Sequence, residues 1–365
     1  MPEMLAIGLM SGTSRDGIDA ALIRTDGEGM VEPLCFHAAP YHEGFRMRLA
    51  EACRRAMAMD APGFEPLIAS IETELTELHV EAVADLLGRS GRQAGEIDVI
   101  GFHGHTVAHR PDRRWTWQIG DGAALAGAFG ITVVGDLRSA DVAAGGQGAP
   151  LLPVYHRALA AGLSRPAAIL NLGGVANITA IGADDTLVAF DTGMASGLID
   201  NWMQAEANAD FDAGGATAAT GRVDETVLTA MLDNPWFDLA PPKSIDREDF
   251  TLAPVRGLSP ADGAATLTAF TARSVALGLR LLPAMPKAIH VAGGGRHNAT
   301  LMRMLADASG LPVHRVDDLG WNGDSVEAEG FAYMAVRRLL NLPISFPGTT
   351  GVPESMTGGV VFLPS

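Results

Sequence analysis

The chain opens on an apolar run, Leu5–Leu9, that gives way to small and polar residues and resumes at Ile18–Ile23. Two strands are predicted, joined by a turn rich in Ser11, Gly12, Thr13, Ser14, Asp16 and Gly17. A plain hairpin needs about two residues of Asn-Gly type. Ile68, Ile71, Leu75, Leu78, Ala82 and Leu86 recur at helical spacing, which predicts an amphipathic helix from Glu65 to Leu87 ended by Gly88. Ile97–Phe102 and Ile131–Val134 read as buried strands, the first stopping at a glycine. A Gly-rich link, Asp141–Pro153, follows. Ala167–Ile181 then repeats the opening plan of strand, small-residue turn and strand, so the chain reads as two similar halves. Later segments alternate: a helix at Ala265–Leu282, a strand at Ala288–Ala292, a helix at His297–Ala308 and a last helix at Ser325–Leu342, closed by Pro343. The class is α/β with mixed sheets. Residues 1–135 with 343–365 are expected to form one domain and 136–342 the other.

At 365 residues, 47% apolar and 19% charged, the chain is globular and long enough for two cores. Its net charge of −17 argues against nucleic acid or an anionic membrane as partner. Cys35 and Cys53 stand in no metal-ligand or redox spacing, which fits a reduced cytoplasmic compartment. "MPEMLAIGLM" lacks a basic n-region and a cleavage site, so no secretory signal is expected. No apolar run reaches about 18 residues, so no spanning helix is expected.

The long first turn has the make-up of an anion cradle. Its backbone amides are unobstructed, and Ser11, Thr13 and Ser14 add hydroxyl donors. It is not a Walker loop, since Gly-Lys-Ser/Thr is missing and a strand follows. "NLGGVANIT" offers a second small turn with Gly173, Gly174 and Asn177; "HVAGGGRHNATLM" places Gly293, Gly294 and Gly295 before a predicted helix, a favoured seat for a phosphate. Singly, each reads as an ordinary turn; the ordered set is less common. Asp191 follows the predicted strand Leu187–Phe190 and either caps the helix running to Met203 or holds a carboxylate for acid–base chemistry at a strand end. His103 and His105, two apart on a strand, are expected on one face. They read as hydrogen-bonding groups or, with His290, as the start of a metal-dependent hydrolase site. His109 reads as a solvated loop residue. Arg138 could pair with Asp136 or Asp141, Asp324 with Glu327 resembles a capping box, and Lys243 reads as a partner for acidic neighbours.

Together the three turns resemble the two phosphate motifs and the adenosine motif of the superfamily of actin, sugar kinases and heat-shock chaperone ATPases. Within it, the chain is similar over nearly its whole length to the anhydro-N-acetylmuramic acid kinase family, through "GLMSGTSRDGIDAAL", "GFHGHT", "QIGDGAALA", "DVAAGGQGAPLLP", "NLGGVANIT", "FDTG", "PPKS", "GGGRHNATLM" and "EAEGFAY". The resemblance implies two ribonuclease-H-like domains with mixed sheets flanking an interdomain nucleotide-binding cleft. It implies ATP bound by Ser11, Gly12, Thr13, Ser14, Arg15, Asp16, Gly17, Ile18, Asp19, Gly173, Gly174, Asn177, Gly293, Gly294 and Gly295. A magnesium ion is implied with it, its ligands unassigned: Met10 stands where related kinases often carry an aspartate, and Asp16 and Asp19 are nearby. The family opens the 1,6-anhydro bridge of anhydro-N-acetylmuramic acid with water and phosphorylates O6, yielding ADP, in cytoplasmic recycling of cell-wall fragments. It makes Asp191 the base; a single base suffices, because O6 leaves toward the γ-phosphate rather than collecting a proton. His103, Arg138, Gln147 and Glu327 fall near the sugar, with Arg138 suited to clamp its lactyl carboxylate. A homodimer is also implied.

Two departures stand out. The family usually reads Pro-Gly-Asn where this chain has Met194-Ala195-Ser196, and glutamine where it has His105. They leave open a kinase for a different 1,6-anhydrosugar. From other classes, a metal-dependent hydrolase using His103 and His105 and a non-catalytic sugar–nucleotide sensor are the alternatives.

Overall fold

The computed structural model describes residues 2–245 and 250–364. In chain order the strands are β1 (Met4–Ser11), β2 (Gly17–Thr25), β3 (Val31–Pro40), β4 (Val99–Arg110), β5 (Trp115–Ile119), β6 (Val133–Gly135), β7 (Ala167–Leu172), β8 (Val175–Ile181), β9 (Leu187–Met194), β10 (Ile289–Ala292), β11 (Val313–Arg315) and β12 (Val360–Phe362). The first sheet is ordered β3-β2-β1-β4-β6, with β5 folded back on β4 and β12 outside β6. In it β1, β2 and β3 are antiparallel neighbours, while β1, β4 and β6 run parallel. The second sheet is ordered β9-β8-β7-β10-β11. Its first three strands are again antiparallel neighbours, and β7, β10 and β11 are again parallel. Both sheets therefore share one strand plan, the ribonuclease-H-like one, in an α/β chain with a mixed sheet in each half.

The chain packs as two compact units, Met1–Ala161 with Ser325–Ser365, and Gly162–Asp324. These borders differ from those read off the sequence, at 135/136 and 342/343. The glycine-rich stretch Asp141–Pro153 belongs inside the first unit, where Asp141 is buried and bonds Gly148 N and Thr350 Oγ1. The helix Val326–Leu339 also belongs there, packed on β1, β2 and β4. Gly8 and Gly101 allow that approach. A Cβ on Gly8 would fall 1.8 Å from Ala328 O, and one on Gly101 2.0 Å from Phe331 O.

Each face of the first sheet has its own core. Phe45 and Leu49 of the helix Glu43–Met57 pack with Ile68, Ile71 and Leu75 of the helix Pro66–Ser90 on one face. Phe331, Tyr333 and Val336 pack with Val154 and Tyr155 on the other. In the second unit Phe190, Val275 and Leu301 join strands to the helices Pro260–Leu279 and Ala299–Ser309.

Several boundaries differ from the sequence reading. Gly88 does not end its helix; Gly91 does, in the left-handed region at φ 68°. Periodicity could not tell the two glycines apart, because Gly88 has the open surroundings of an exposed helical position. β4 does not stop at Gly104 but runs on to Arg110, with Gly104 at φ 67° as a kink inside it. Among the described residues no helix is long and apolar enough to cross a membrane.

Candidate active site

In the second unit, three polar residues stand side by side on adjacent strands. Asn171 of β7 pairs with Asn177 of β8, and Asn177 pairs with Asp191 of β9. Cross-strand partners share a sheet face, so the row is continuous. The register slips next to Asp191: Ala176 pairs with Gly193, which leaves Thr192 as a bulged residue. Bulges of this kind re-aim side chains at a strand end. At the other end of the row, Gly293 follows β10 at φ 75°, and a Cβ there would lie 2.3 Å from Asn171 Oδ1. The glycine turn thus approaches the row as no other residue type could. Asn171 was not singled out in the sequence; its strand position opposite Asn177 was the signal.

Asp191 does not cap a helix. The helix Ser196–Glu206 starts after Ala195 with no side-chain cap, and Thr192 Oγ1 donates to Ala176 O. Asp191 Oδ2 instead accepts from Ile245 N at 2.9 Å, and Asp191 N donates to Lys243 O at 2.9 Å. Burial pushes the carboxyl up to about 7, against the lowering effect of the Ile245 amide. Among the described residues Lys243 forms no ion pair, though the charge of Asp238 favours its ammonium. Its ammonium donates to the carbonyls of Trp236 and Phe237 and sits 4.2 Å from the Trp236 ring centroid. It anchors the segment that presents the Ile245 amide. Lys243→Met is therefore expected to free that amide and raise the Asp191 pKa by about half a unit to one unit, seen as an upward move of the acid limb of the pH–rate profile.

The other turn segments are tied down by backbone and charge. Gly174 O accepts from Ala195 N and Gly197 N, and Gly173 O from Ser196 N. Two of the departures from the family pattern, Ala195 and Ser196, thus serve the Gly173–Gly174 turn through their amides, and Met194 is buried in the core. Gly294–His297 forms a 3₁₀ turn, and the helix begins only at Ala299, capped by Asn298 Oδ1. The glycine amides therefore belong to that turn and not to the helix N-terminus expected at His297. Arg296, which the sequence reading passed over, is buried and bonds Gly293 O, Asp317 and Asp324. Asp324 is thereby committed to Arg296. The capping box with Glu327 does not form: the cap position is Ser325, without a side-chain cap bond.

In the first unit the turn between β1 and β2 spans residues 12–16, and Ser11 closes β1 with its hydroxyl buried. His103 and His105 do not share a face. The kink at Gly104 turns His105 to Ser11 and Cys53, while His103 packs 4.6 Å from the Phe331 ring centroid. Arg138 Nε donates to His103 Nε2 at 3.1 Å, and Arg138 Nη1 donates to Gly148 O at 2.7 Å. A guanidinium only donates, so His103 carries its proton on Nδ1, which donates to Gly104 O at 2.9 Å. Burial and the Arg138 charge hold the His103 pKa well below its ordinary value. Arg138 itself is lowered to about 10 by burial, with Glu327 and Asp141 opposing, and stays charged at neutral pH. Gln147 N donates to Thr350 O beside Gly148. Arg138, His103, Glu327 and the Gln147 loop are thus brought together. His109 is not a solvated loop residue: it lies on β4, bonded to Thr116 Oγ1, and burial beside Arg138 lowers its pKa to about 4.

The ring nitrogens of His103 and His105 are engaged by protein partners, His290 lies in the other unit, and among the described residues no group of three or more His, Cys, Asp or Glu could hold a metal ion. The arrangement carries no argument for the metal-dependent hydrolase.

A duplicated ribonuclease-H-like plan, with small-residue turns at the strand ends and a raised carboxyl beside one of them, is that of the sugar kinase and actin-like ATPase class. The chain belongs to the anhydro-N-acetylmuramic acid kinase family, whose model matches residues 4–364. Relatives carrying that name include one from Rhizorhabdus wittichii, 64% identical with both chains fully covered. Another, from Zymomonas mobilis, is 56% identical over 98% of this chain and 99% of its own. Among solved structures, component A of (R)-2-hydroxyglutaryl-CoA dehydratase from Acidaminococcus fermentans matches with a TM-score of 0.50 at 12% identity, over 92% of this chain and 99% of that one. That likeness concerns the fold alone.

Proposed function

We propose that this kinase takes anhydro-N-acetylmuramic acid and ATP, opens the 1,6-anhydro bridge with water and places the γ-phosphate on O6, giving N-acetylmuramic acid 6-phosphate and ADP. The observation that carries the reading is the Asn171–Asn177–Asp191 row, ending in a carboxyl raised to about 7. A base with its pKa near working pH combines a large ionised fraction with real proton affinity. Asp191 removes a proton from water as its oxygen attacks C1. The C1–O6 bond breaks, and O6 attacks the γ-phosphorus. Asn171 and Asn177 orient groups along the same sheet face. The small-residue turns 11–19, 173–174 and 293–295 serve the nucleotide, and Arg138, fixed by His103 and Gly148, meets the lactyl carboxylate near Glu327 and Gln147.

A magnesium ion would supply charge neutralisation at the phosphate oxygens. Asp16 and Asp19 suit it: they are hard oxygen donors at the first turn, and their charges both reach Tyr41. Recycling of cell-wall fragments in the cytoplasm, and a homodimer, complete the proposal.

The test is ADP release on adding anhydro-N-acetylmuramic acid, with the phosphorylated product identified. Release that does not depend on the sugar would overturn the reading. The pH profile is a second check. Asp191 must be ionised to act, so kcat/KM is expected to fall about tenfold per pH unit below about 7 and to level off above it.

A further inference from the structure

Within the turn 12–16, Arg15 N donates to Gly12 O at 3.0 Å, with Arg15 at φ 57°, and Ser14 Oγ donates to Asp16 Oδ1 at 2.7 Å. These bonds shape the turn but do not anchor it to the sheet. Tyr41, the residue after β3, ties both of its ends. Tyr41 N donates to Asp16 O at 2.9 Å, and its hydroxyl lies 2.7 Å from Ser11 Oγ. Ser11 Oγ lies 2.8 Å from Nδ1 of His105, its register partner on β4, and His105 Nε2 stands 3.7 Å from Cys53 Sγ. Tyr41, Ser11 and His105 are 7%, 1% and 1% exposed.

The direction of the chain follows from its donors. If Tyr41 donates to Ser11 and Ser11 to Nδ1, then Nε2–H faces Cys53 and only the weak S–H donor is left over. The reverse order would orphan the tyrosine proton. Burial and the nearby Arg15 charge lower the His105 pKa to about 4, so the ring is neutral at neutral pH and one nitrogen keeps a lone pair, which the order of donors places on Nδ1. The kink at Gly104 gives His105 this orientation.

We infer that Tyr41 and His105 are positioning residues for the nucleotide, holding the first phosphate turn through Ser11 in the shape that presents its amides. The inference rests on reading that turn as a phosphate cradle. Neither residue touches a reacting atom. A turn left to order itself on binding would cost affinity, and bracing removes that cost beforehand.

Tyr41→Phe keeps the ring against Phe45, at 4.8 Å between centroids, and removes only the hydroxyl. It is expected to raise the ATP dissociation constant up to about tenfold, to speed amide exchange at residues 12–16 and to leave KM for the sugar unchanged. His105→Phe should do the same. His105→Gln, whose side-chain carbonyl accepts from Ser11, should restore ATP affinity to within about twofold. Unchanged exchange and ATP affinity in Tyr41→Phe and His105→Phe overturn the inference. Faster exchange with unchanged affinity also overturns it, since the brace would then serve stability alone. Exchange and affinity need no turnover. A parent enzyme that binds ATP but releases no ADP on the anhydrosugar would remove the proposed reaction and still leave the brace decided.

Discussion

Asp191→Asn is expected to lower the rate of sugar-dependent ADP release by about 10²–10⁴-fold, the usual worth of a positioned general base. ATP affinity should stay within about twofold, because asparagine is isosteric and Oδ1 can still accept from Ile245 N. Steady-state ADP release with calorimetric ATP binding checks both; near-parental turnover would remove Asp191 from the base role. The same variant has a stability signature. The Asp191 pKa is raised from 3.8 to about 7, so the folded chain holds this proton more tightly than the unfolded chain does. Above pH about 7 the ionised carboxylate in its dry site costs stability in full. The cost shrinks as pH falls through 7 and is gone below the ordinary carboxylate value. Asparagine never ionises. Its melting temperature should therefore exceed the parent's by a few degrees at pH 8, with the gap closing by pH 4. A gap that is the same at both pH values would mean that burial does not control this carboxyl.

Gly101→Ala is expected to destabilise the first unit by about 3 kcal/mol or more, at the upper end of over-packing. A single methyl would enter the 2.0 Å space in front of Phe331 O, a backbone atom of the helix Val326–Leu339 that cannot rotate aside. That helix carries Glu327, and its neighbours Phe331 and Arg138 stack at 5.9 Å, so activity should fall with stability. Gly88→Ala is the control. Nothing lies within 4 Å of a Cβ there, so alanine should stabilise its helix by about 0.5–1 kcal/mol. Thermal unfolding of the two variants beside the parent distinguishes them; equal behaviour would contradict the packing.

The long amphipathic helix, the existence of the opening strands and the small turns were legible because they depend on neighbours in sequence, whereas the end of β4 was not. Ile68, Ile71 and Leu75 face the core at the expected period, and the opening strands pair as read. Asp191 was legible as a candidate, but its local surroundings equally suited a helix cap. The choice needed Ile245, 54 positions away, whose amide claims the carboxylate. Asp324 shows the reverse case: a sound local capping pattern lost to Arg296, because a buried guanidinium must be paired. Arg296 was missed because its acidic partners, Asp317 and Asp324, lie 21 and 28 positions away, whereas Asn171 faces Asn177 within one hairpin and could have been found from that pairing.

By itself, the order of residues determined the α/β class, the duplicated strand–turn–strand plan and the places where backbone could come close to a ligand. Those properties are set by side-chain size and period. The tertiary structure alone decided which glycines are indispensable, which way each histidine of "GFHGHT" turns and which carboxyl holds its proton near neutrality. Each of these depends on what stands within a few ångströms across the fold, and desolvation, close packing and hydrogen-bond partners come from contacts that sequence spacing does not encode.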